Sequence, residues 1–107
     1  MTVIVLERRE NMTNFYVTYK LADRHEREAF YGEVKKCGAA EKTRKEDGCI
    51  RYDFFFPADY DDEIFLWEQW ESREAQKVHL QQPHYLEFAA IKERYGVDTQ
   101  IIAEDAR

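Results

Sequence analysis

The most informative stretch of this chain is EIFLWEQWESREAQKVHLQQPHY, residues 63–85, because it contains a strand and two helix starts in succession. Its first nine residues alternate with a period of two, which predicts a β-strand. One strand face would carry Ile64, Leu66, Glu68 and Trp70, and the other Phe65, Trp67 and Gln69. Ser72 suits the N-cap of a short helix over residues 73–80, and Pro83 suits the first turn of another helix that runs to residue 94.

The segments before this stretch predict a strand, a helix and a second strand. Residues 14–21, NFYVTYKL, alternate and are rich in β-branched and aromatic types. Asp23 and Glu26 then stand three residues apart, as an N-cap and its N3 partner do, and start one helix that would stop at Gly48. Residues 49–56, CIRYDFFF, alternate again. Their two faces would carry Ile50, Tyr52, Phe54 and Phe56, and Cys49, Arg51, Asp53 and Phe55.

The complete order of elements is strand, helix, strand, strand, helices and a final strand over residues 97–103. This order is typical of the α+β ferredoxin-like (split βαβ) fold, an antiparallel sheet with its helices on one face. The other sheet face carries aromatic side chains and would be bare in a monomer, which predicts a homodimer. We assign residues 14–104 to this domain. Residues 1–13 form an N-terminal extension, which could be an added strand, an arm or a disordered leader.

The composition excludes several classes of partner. The chain has 107 residues and a formal net charge of −6, and its positive residues are scattered, so we expect no nucleic-acid binding. No apolar run approaches the roughly 18 residues of a membrane span, and the first residues lack a signal-peptide pattern. We therefore expect no membrane insertion and a cytoplasmic location. Cys37 and Cys49 fit neither a disulfide framework nor a CxxC motif, and we expect both to be reduced and buried.

Several motifs together resemble one family. They are Glu46-Asp47-Gly48-Cys49, Tyr52, Glu68-Gln69-Trp70-Glu71-Ser72 and His79-Leu80-Gln81-Gln82-Pro83-His84-Tyr85. Over residues 14–103 the chain resembles the antibiotic biosynthesis monooxygenase domain, and within it the small quinol monooxygenases. The resemblance implies a homodimer whose two sheets pack into a dimeric α+β barrel, with a pocket between sheet and helices. It also implies oxidation of a phenol, quinol or anthrone-like ring by molecular oxygen with no cofactor, neither metal nor flavin.

Three residues are candidates for catalysis: His84, His79 and Glu68. A histidine near its ordinary pKa is a natural base for deprotonating a quinol. Pro83 breaks the helix between the two histidines, so they would not share a helical face, and we expect no metal site. The alternatives are that His84 caps or packs the helix start and that His79 lies on a helix surface or interface. Burial would raise the pKa of Glu68, unless it pairs with Arg51 or a helix-end amide.

Four aromatic residues are candidates for binding the ligand: Trp70, Tyr52, Tyr85 and Phe88. The resemblance places Trp70 near the pocket, where its indole N–H could hold a quinone oxygen. The alternative is that Trp70 is a core anchor. The tyrosines could offer hydroxyl groups to a ligand, or they could pack at the sheet or dimer surface. Phe65 and Trp67 should face away from Trp70, and we assign them to the subunit interface.

Three hypotheses of function follow from these residues. The first is a cofactor-independent monooxygenase that oxidises a quinol or a related small aromatic compound with molecular oxygen. The second is an isomerase or lyase of a small carbonyl compound that can carry a phosphate group, with Arg51, Arg73 and Lys77 as the nearby cations. The third is a non-catalytic small-molecule binding protein that uses the same pocket. Oxygen uptake, phosphate displacement and binding without product would separate the three.

Overall fold

The computed structural model describes residues 1–5 and 12–105. Four strands and four helices follow one another in these ranges. They are β1 (Thr13–Lys20), α1 (Arg24–Cys37), α2 (Ala39–Arg44), β2 (Cys49–Phe55), β3 (Glu63–Trp70), α3 (Arg73–His79), α4 (Pro83–Arg94) and β4 (Asp98–Asp105). The strands form one antiparallel sheet in the order β2-β3-β1-β4. This arrangement confirms the predicted α+β ferredoxin-like fold.

The core lies between the helices and one face of the sheet. Three residues of β3 on this face have an exposure of 0%: Ile64, Leu66 and Trp70. Phe30 of α1 and Phe88 of α4 pack on the buried ring of Tyr19 in β1, with ring centroids 6.3 and 5.8 Å away. Each large apolar side chain buried in this way stabilises the fold by about 1.5–3 kcal/mol. The alternation predicted for β3 is confirmed, because the side chains on its opposite face are only partly buried.

Three helix starts follow the predicted signals. The Asp23 side chain accepts a hydrogen bond from the N–H of Glu26 at 2.8 Å, and Ser72 Oγ accepts one from the N–H of Ala75 at 3.1 Å. Pro83 occupies the first turn of α4, where its missing N–H costs no helical hydrogen bond. Because these signals fix where α3 and α4 begin, they also fix which residues lie where the two helices meet.

The first predicted helix is in fact two helices, so the prediction of one continuous helix is wrong. Gly38 has a φ of +71°, and its N–H donates to the carbonyl oxygen of Lys35 at 3.1 Å, which ends α1. This left-handed conformation favours glycine, which has no Cβ to clash. The short helix α2 then starts at Ala39 and ends at Arg44.

A β-bulge at the start of β2 overturns part of the predicted face assignment. Cys49 pairs with Trp70 and Arg51 pairs with Gln69, so β2 has one more residue here than β3. Alternation breaks at a bulge, and Cys49 therefore lies on the helix-covered face with Tyr52 rather than with Arg51. Both cysteines of the chain are free, as predicted, but they are only half-buried.

The sheet face opposite the helices, which we call the open face, carries a group of apolar side chains. These apolar side chains are Tyr16, Phe55, Phe65, Trp67 and Ile102.

Residues 3–5 of the N-terminal extension are exposed and have no regular secondary structure, and residues 6–11 lie outside the described residues. Within the described ranges, no helix combines the length and the apolar character that crossing a membrane requires.

Candidate active site

One carboxylate joins both candidate histidines. Glu46 Oε2 lies 2.6 Å from His79 Nδ1 and 2.7 Å from His84 Nε2. Glu46 belongs to the loop between α2 and β2. Its N–H donates to the carbonyl oxygen of Thr43 at 3.0 Å, and its carbonyl oxygen accepts from the N–H of Cys49 at 3.2 Å. Glu46 has no role predicted from the sequence, where its one signal is its place in a family motif.

The two histidines reach this carboxylate from successive helices. His79 is the last residue of α3, and His84 follows Pro83 in the first turn of α4. They share no helical face, as predicted, but the turn at residues 80–82 directs both rings to the same oxygen. His79 is 1% exposed, so the alternative of a surface histidine is wrong. The His84 side chain is 12% exposed and lies nearer the surface.

His79 presents an unprotonated nitrogen to the interior. Since a carboxylate has no proton to donate, the Nδ1–H of His79 donates to Glu46. Nε2 then carries the lone pair, and it is buried without a hydrogen-bond partner among the described residues. Burial lowers the pKa of His79 below 6.5 and so favours the neutral imidazole, whereas Glu46 opposes this shift. This is the arrangement of a general base oriented by a carboxylate.

Aromatic rings surround the imidazole of His79. Its ring centroid lies 5.0 Å from that of Trp70, 5.0 Å from that of Tyr85 and 5.5 Å from that of Tyr52. Phe88 lies one ring farther along, 6.4 Å from Tyr85. Burial raises the pKa of Tyr52 well above 10, which keeps its hydroxyl group protonated. Three of the four aromatic residues proposed from the sequence thus surround one base, and the fourth, Phe88, packs against Tyr85.

The third catalytic candidate, Glu68, is paired with Trp70. The indole Nε1–H donates to Glu68 Oε1 at 3.0 Å, and both side chains are buried. Burial raises the pKa of Glu68 to about 7, although the indole hydrogen bond and the charge of Lys92 oppose the shift. Arg51 lies on the other sheet face and pairs with Asp53 at 2.8 Å, so the alternative of a Glu68–Arg51 pair is wrong. Trp70 could hold a quinone oxygen only if its hydrogen bond to Glu68 were broken.

Lys92 is a residue of the site that sequence reasoning missed. It extends from α4 and places Nζ 4.9 Å from the ring centroid of Phe88, 5.3 Å from that of Tyr19 and 5.4 Å from that of Tyr85. Burial lowers the pKa of Lys92, whereas the charge of Glu68 opposes this shift. Its spacing of four and seven residues from Phe88 and Tyr85 puts it on their helical face, and this spacing was the available signal.

The cluster of Glu46, His79 and His84 is also a set of donors for a divalent cation, since one ligand atom from each lies within 4.8 Å of the others. The nitrogen–oxygen separations of 2.6 and 2.7 Å are, however, hydrogen-bond distances. Neighbouring ligands of a tetrahedral zinc ion lie about 3.3 Å apart, given bonds of about 2.0–2.1 Å. The side chains would have to separate to hold an ion. Their present arrangement suits proton transfer instead.

A surface groove is lined in part by Glu46 of this cluster. It has a volume of about 510 Å³ and runs between the loop after α2 and helix α3, where Glu46, Asp47, Val78 and Gln82 contribute to its walls. The groove therefore reaches the residue that orients the base.

The cations considered for a phosphate group contact other side chains or are exposed. Arg51 is on the open face of the sheet, with its guanidinium 4.4 Å from the ring centroid of Trp67. Arg73 pairs with Asp105 at 3.0 Å, and Lys77 is exposed on α3. The isomerase or lyase hypothesis therefore gains no support from these three residues.

The fold and the site together define a class of protein, a ferredoxin-like α+β domain that buries a histidine–carboxylate cluster among aromatic rings. The family described as antibiotic biosynthesis monooxygenase matches residues 14–91, which is more than half of the chain. The chain belongs to this family.

Curated relatives share a segment of sequence with this chain, and solved structures share its fold. "Putative monooxygenase Rv0793" of Mycobacterium tuberculosis is 46% identical over 48 residues, which are 45% of this chain and 46% of that protein. The chain spans less than half the length of the curated relatives it matches. The structure of a "putative antibiotic biosynthesis monooxygenase from Nitrosomonas europaea" has a TM-score of 0.77 at 20% identity, and covers 94% of this chain and 95% of that one. SnoaB, a cofactor-independent oxygenase from Streptomyces nogalater, has a TM-score of 0.69 at 16% identity, covering 91% and 94%.

Proposed function

We propose that this protein is a cofactor-independent monooxygenase that oxidises a quinol or a related small aromatic compound with molecular oxygen. The observation that carries the proposal is the buried Nε2 atom of His79, which has no partner in the described part of the chain. A lone pair held among aromatic rings and oriented by Glu46 is suited to remove the proton of a ring hydroxyl group. The family, and the M. tuberculosis relative named as a monooxygenase, support this choice of chemistry.

The reaction balances with the substrate as the source of all electrons. Proton removal by His79 gives a phenolate, which is electron-rich enough to reduce molecular oxygen. The quinol supplies four electrons in total. One oxygen atom forms a new C–O bond at a ring carbon in place of hydrogen, and the other leaves as water, so that the ring becomes a hydroxyquinone. The proton held by His79 returns to the reduced oxygen as water forms.

Four neighbours of His79 act through it rather than on the substrate. Glu46 orients the imidazole and stabilises the imidazolium that forms during proton transfer. His84 donates to the same oxygen of Glu46 and so holds the carboxylate in place. Trp70 and Tyr52 exclude water around the base, which strengthens these interactions.

The proposed assembly is a homodimer joined through the open face. Ile102 is 59% exposed on this face, and Phe55 is 45% exposed. Ile101, on the opposite face of β4, is also 59% exposed. An edge strand with apolar residues uncovered on both faces is suited to a second copy of the chain.

The test of the proposed activity is oxygen uptake with menadiol, measured above the rate of autoxidation. His79→Asn keeps a donor near the position of Nδ1 but removes Nε2, so we expect turnover to fall about 10²- to 10⁴-fold. His25→Asn is the matched control, because His25 is exposed in α1 and should not affect turnover. Circular dichroism and thermal unfolding check that both variants fold.

Two results would contradict the proposal. One is a wild-type rate no higher than autoxidation across a panel of benzoquinols and naphthoquinols. The other is a folded His79→Asn variant that is as active as the wild type. Ligand binding without product would instead identify a non-catalytic binding protein.

A further inference from the structure

The ammonium group of Lys92 lies among rings on the helix-covered side of the sheet. The rings of Phe88, Tyr19 and Tyr85 all have their centroids within 5.4 Å of Nζ. No carboxylate in the described ranges forms an ion pair with Lys92, and Glu68 attracts it only over a longer distance. Contacts with ring faces stabilise the cation without neutralising it. Lys92 is therefore a charge available to a ligand.

Tyr85 connects this cation to the base. Its ring centroid lies 5.0 Å from the imidazole of His79 and 5.4 Å from Lys92 Nζ. Tyr85 is itself only half-buried, so its ring can be approached from outside the core. An aromatic ligand that packs against Tyr85 meets both the proton acceptor and the ammonium group.

We propose that Lys92 holds the ionised oxygen of the ligand, so that the site holds bound hydroxy-aromatic compounds as their mono-anions. The proposal rests on the proposed function for the choice of a ring ligand and of His79 as the base. When His79 removes a hydroxyl proton, it leaves an oxyanion in a region that excludes water. Such a charge is costly unless a cation or hydrogen-bond donors pair with it. Lys92 supplies that cation and is a specificity-determining residue for ionisable rings.

The experiment measures binding of 4-nitrophenol, whose phenolate is coloured whereas the neutral phenol is not. Lys92→Met keeps the length of the side chain but removes the charge. We expect this variant to bind 4-nitrophenolate about 10- to 100-fold more weakly than the wild type. The wild type should also increase the coloured fraction at a fixed pH, because it binds the anion preferentially. Lys92→Arg should recover most of this increase.

Two controls separate charge recognition from packing. The methyl ether 4-nitroanisole has the same ring but no proton to lose, and it should bind equally well to the wild type and to Lys92→Met. Lys77→Met removes an exposed lysine of α3 and should leave 4-nitrophenolate affinity unchanged. Equal affinity of wild type and Lys92→Met for 4-nitrophenolate would overturn the proposal, as would the absence of 4-nitrophenol binding by the wild type.

The binding assay needs neither oxygen nor turnover, so it separates this proposal from the proposed function. Charge-dependent binding without quinol oxidation would support the role of Lys92 and contradict the proposed monooxygenase activity. Quinol oxidation at the wild-type rate by Lys92→Met would overturn the role of Lys92 and support the monooxygenase activity.

Discussion

Burial shifts two ionisable groups of the site in opposite directions. It raises the pKa of Glu68 to about 7 and lowers the pKa of His79 below 6.5. Both shifts favour the neutral form, because a charge loses its hydration inside a protein. Near neutral pH the interior therefore contains an uncharged base and a carboxyl group that is partly protonated. The site limits the number of charges that must be buried at once.

The raised pKa of Glu68 makes stability depend on pH. Between the ordinary value of 4.5 and about 7, the folded protein binds more protons on this group than the unfolded chain does. Its contribution is therefore fully present at low pH and is lost as the pH rises toward 7. The total change is about 3 kcal/mol. In Glu68→Gln, which cannot ionise, unfolding by urea should lack this decline.

The wild type and Glu68→Gln are compared at each pH, so that the contributions of other titratable groups to the free energy of unfolding cancel. The free energy of unfolding of Glu68→Gln relative to wild type should increase by about 3 kcal/mol from about pH 4.5 to about pH 7.5. Glu87→Gln, which changes an exposed carboxyl group of α4, should show no such increase. Parallel pH profiles for wild type and Glu68→Gln would rule out the burial effect.

The individual site residues are easier to predict from the sequence than their partners are. A carboxylate among Ile64, Leu66 and Trp70 is visible in the alternation of β3, and its burial is confirmed. Glu46 could not be predicted in the same way, because it lies 33 residues from His79 along the chain and meets it only in the folded protein. A loop glutamate carries no periodic signal.

Helix α3 is positioned against the start of β2 by Gly48. This residue has a φ of +83°, and a Cβ built on it would lie 2.7 Å from the Cβ of Ala75. The carbonyl oxygen of Gly48 also accepts a hydrogen bond from the N–H of Glu71 at 2.8 Å. Since Ala75 and His79 are one turn apart on α3, the close approach at Gly48 sets how near His79 comes to Glu46.

Gly48→Ala should therefore destabilise the fold more than an alanine substitution at a glycine without such a close neighbour. Backbone strain costs about 1–2 kcal/mol, and forcing α3 outward adds about 1–3 kcal/mol. Gly38→Ala is the matched control: its φ is +71°, but its nearest neighbour would be Lys42 Cε at 3.7 Å, so only the strain applies. Unfolding by urea measures both. Adding Ala75→Gly should recover part of the loss in Gly48→Ala, and equal destabilisation by the two alanine substitutions would contradict this role.

Local signals predicted element starts well and irregularities poorly. The caps at Asp23 and Ser72 depend on neighbouring residues, and both are confirmed by hydrogen bonds. The helix break at Gly38 was missed because the apolar pattern continues on both sides of it. The bulge after Cys49 was missed because it depends on pairing with β3, which one strand's own sequence does not reveal.

Strand β4 connects the fold to the proposed assembly. Its residues from Asp98 to Glu104 are all exposed, although it pairs with β1 along its whole length. On the open face, Ile102 lies opposite Tyr16, whose ring centroid is 6.4 Å from that of Phe65 and 6.2 Å from that of Trp67. A second copy packed on this surface would remove several large apolar side chains from water, which the chain's own helices cannot do from the opposite side.

Ile102→Glu should therefore convert the proposed dimer to a monomer without unfolding the chain. A charge at this position is tolerated in a monomer, where Ile102 is 59% exposed, but would be unpaired within an apolar interface. Sedimentation velocity should give twice the chain mass of 12.9 kDa for the wild type and the single mass for the variant. Leu86→Glu is the matched control, because Leu86 is 56% exposed on α4, away from the open face, and its variant should remain a dimer. A monomeric wild type at micromolar concentration, or dissociation by both variants alike, would contradict an interface at the open face.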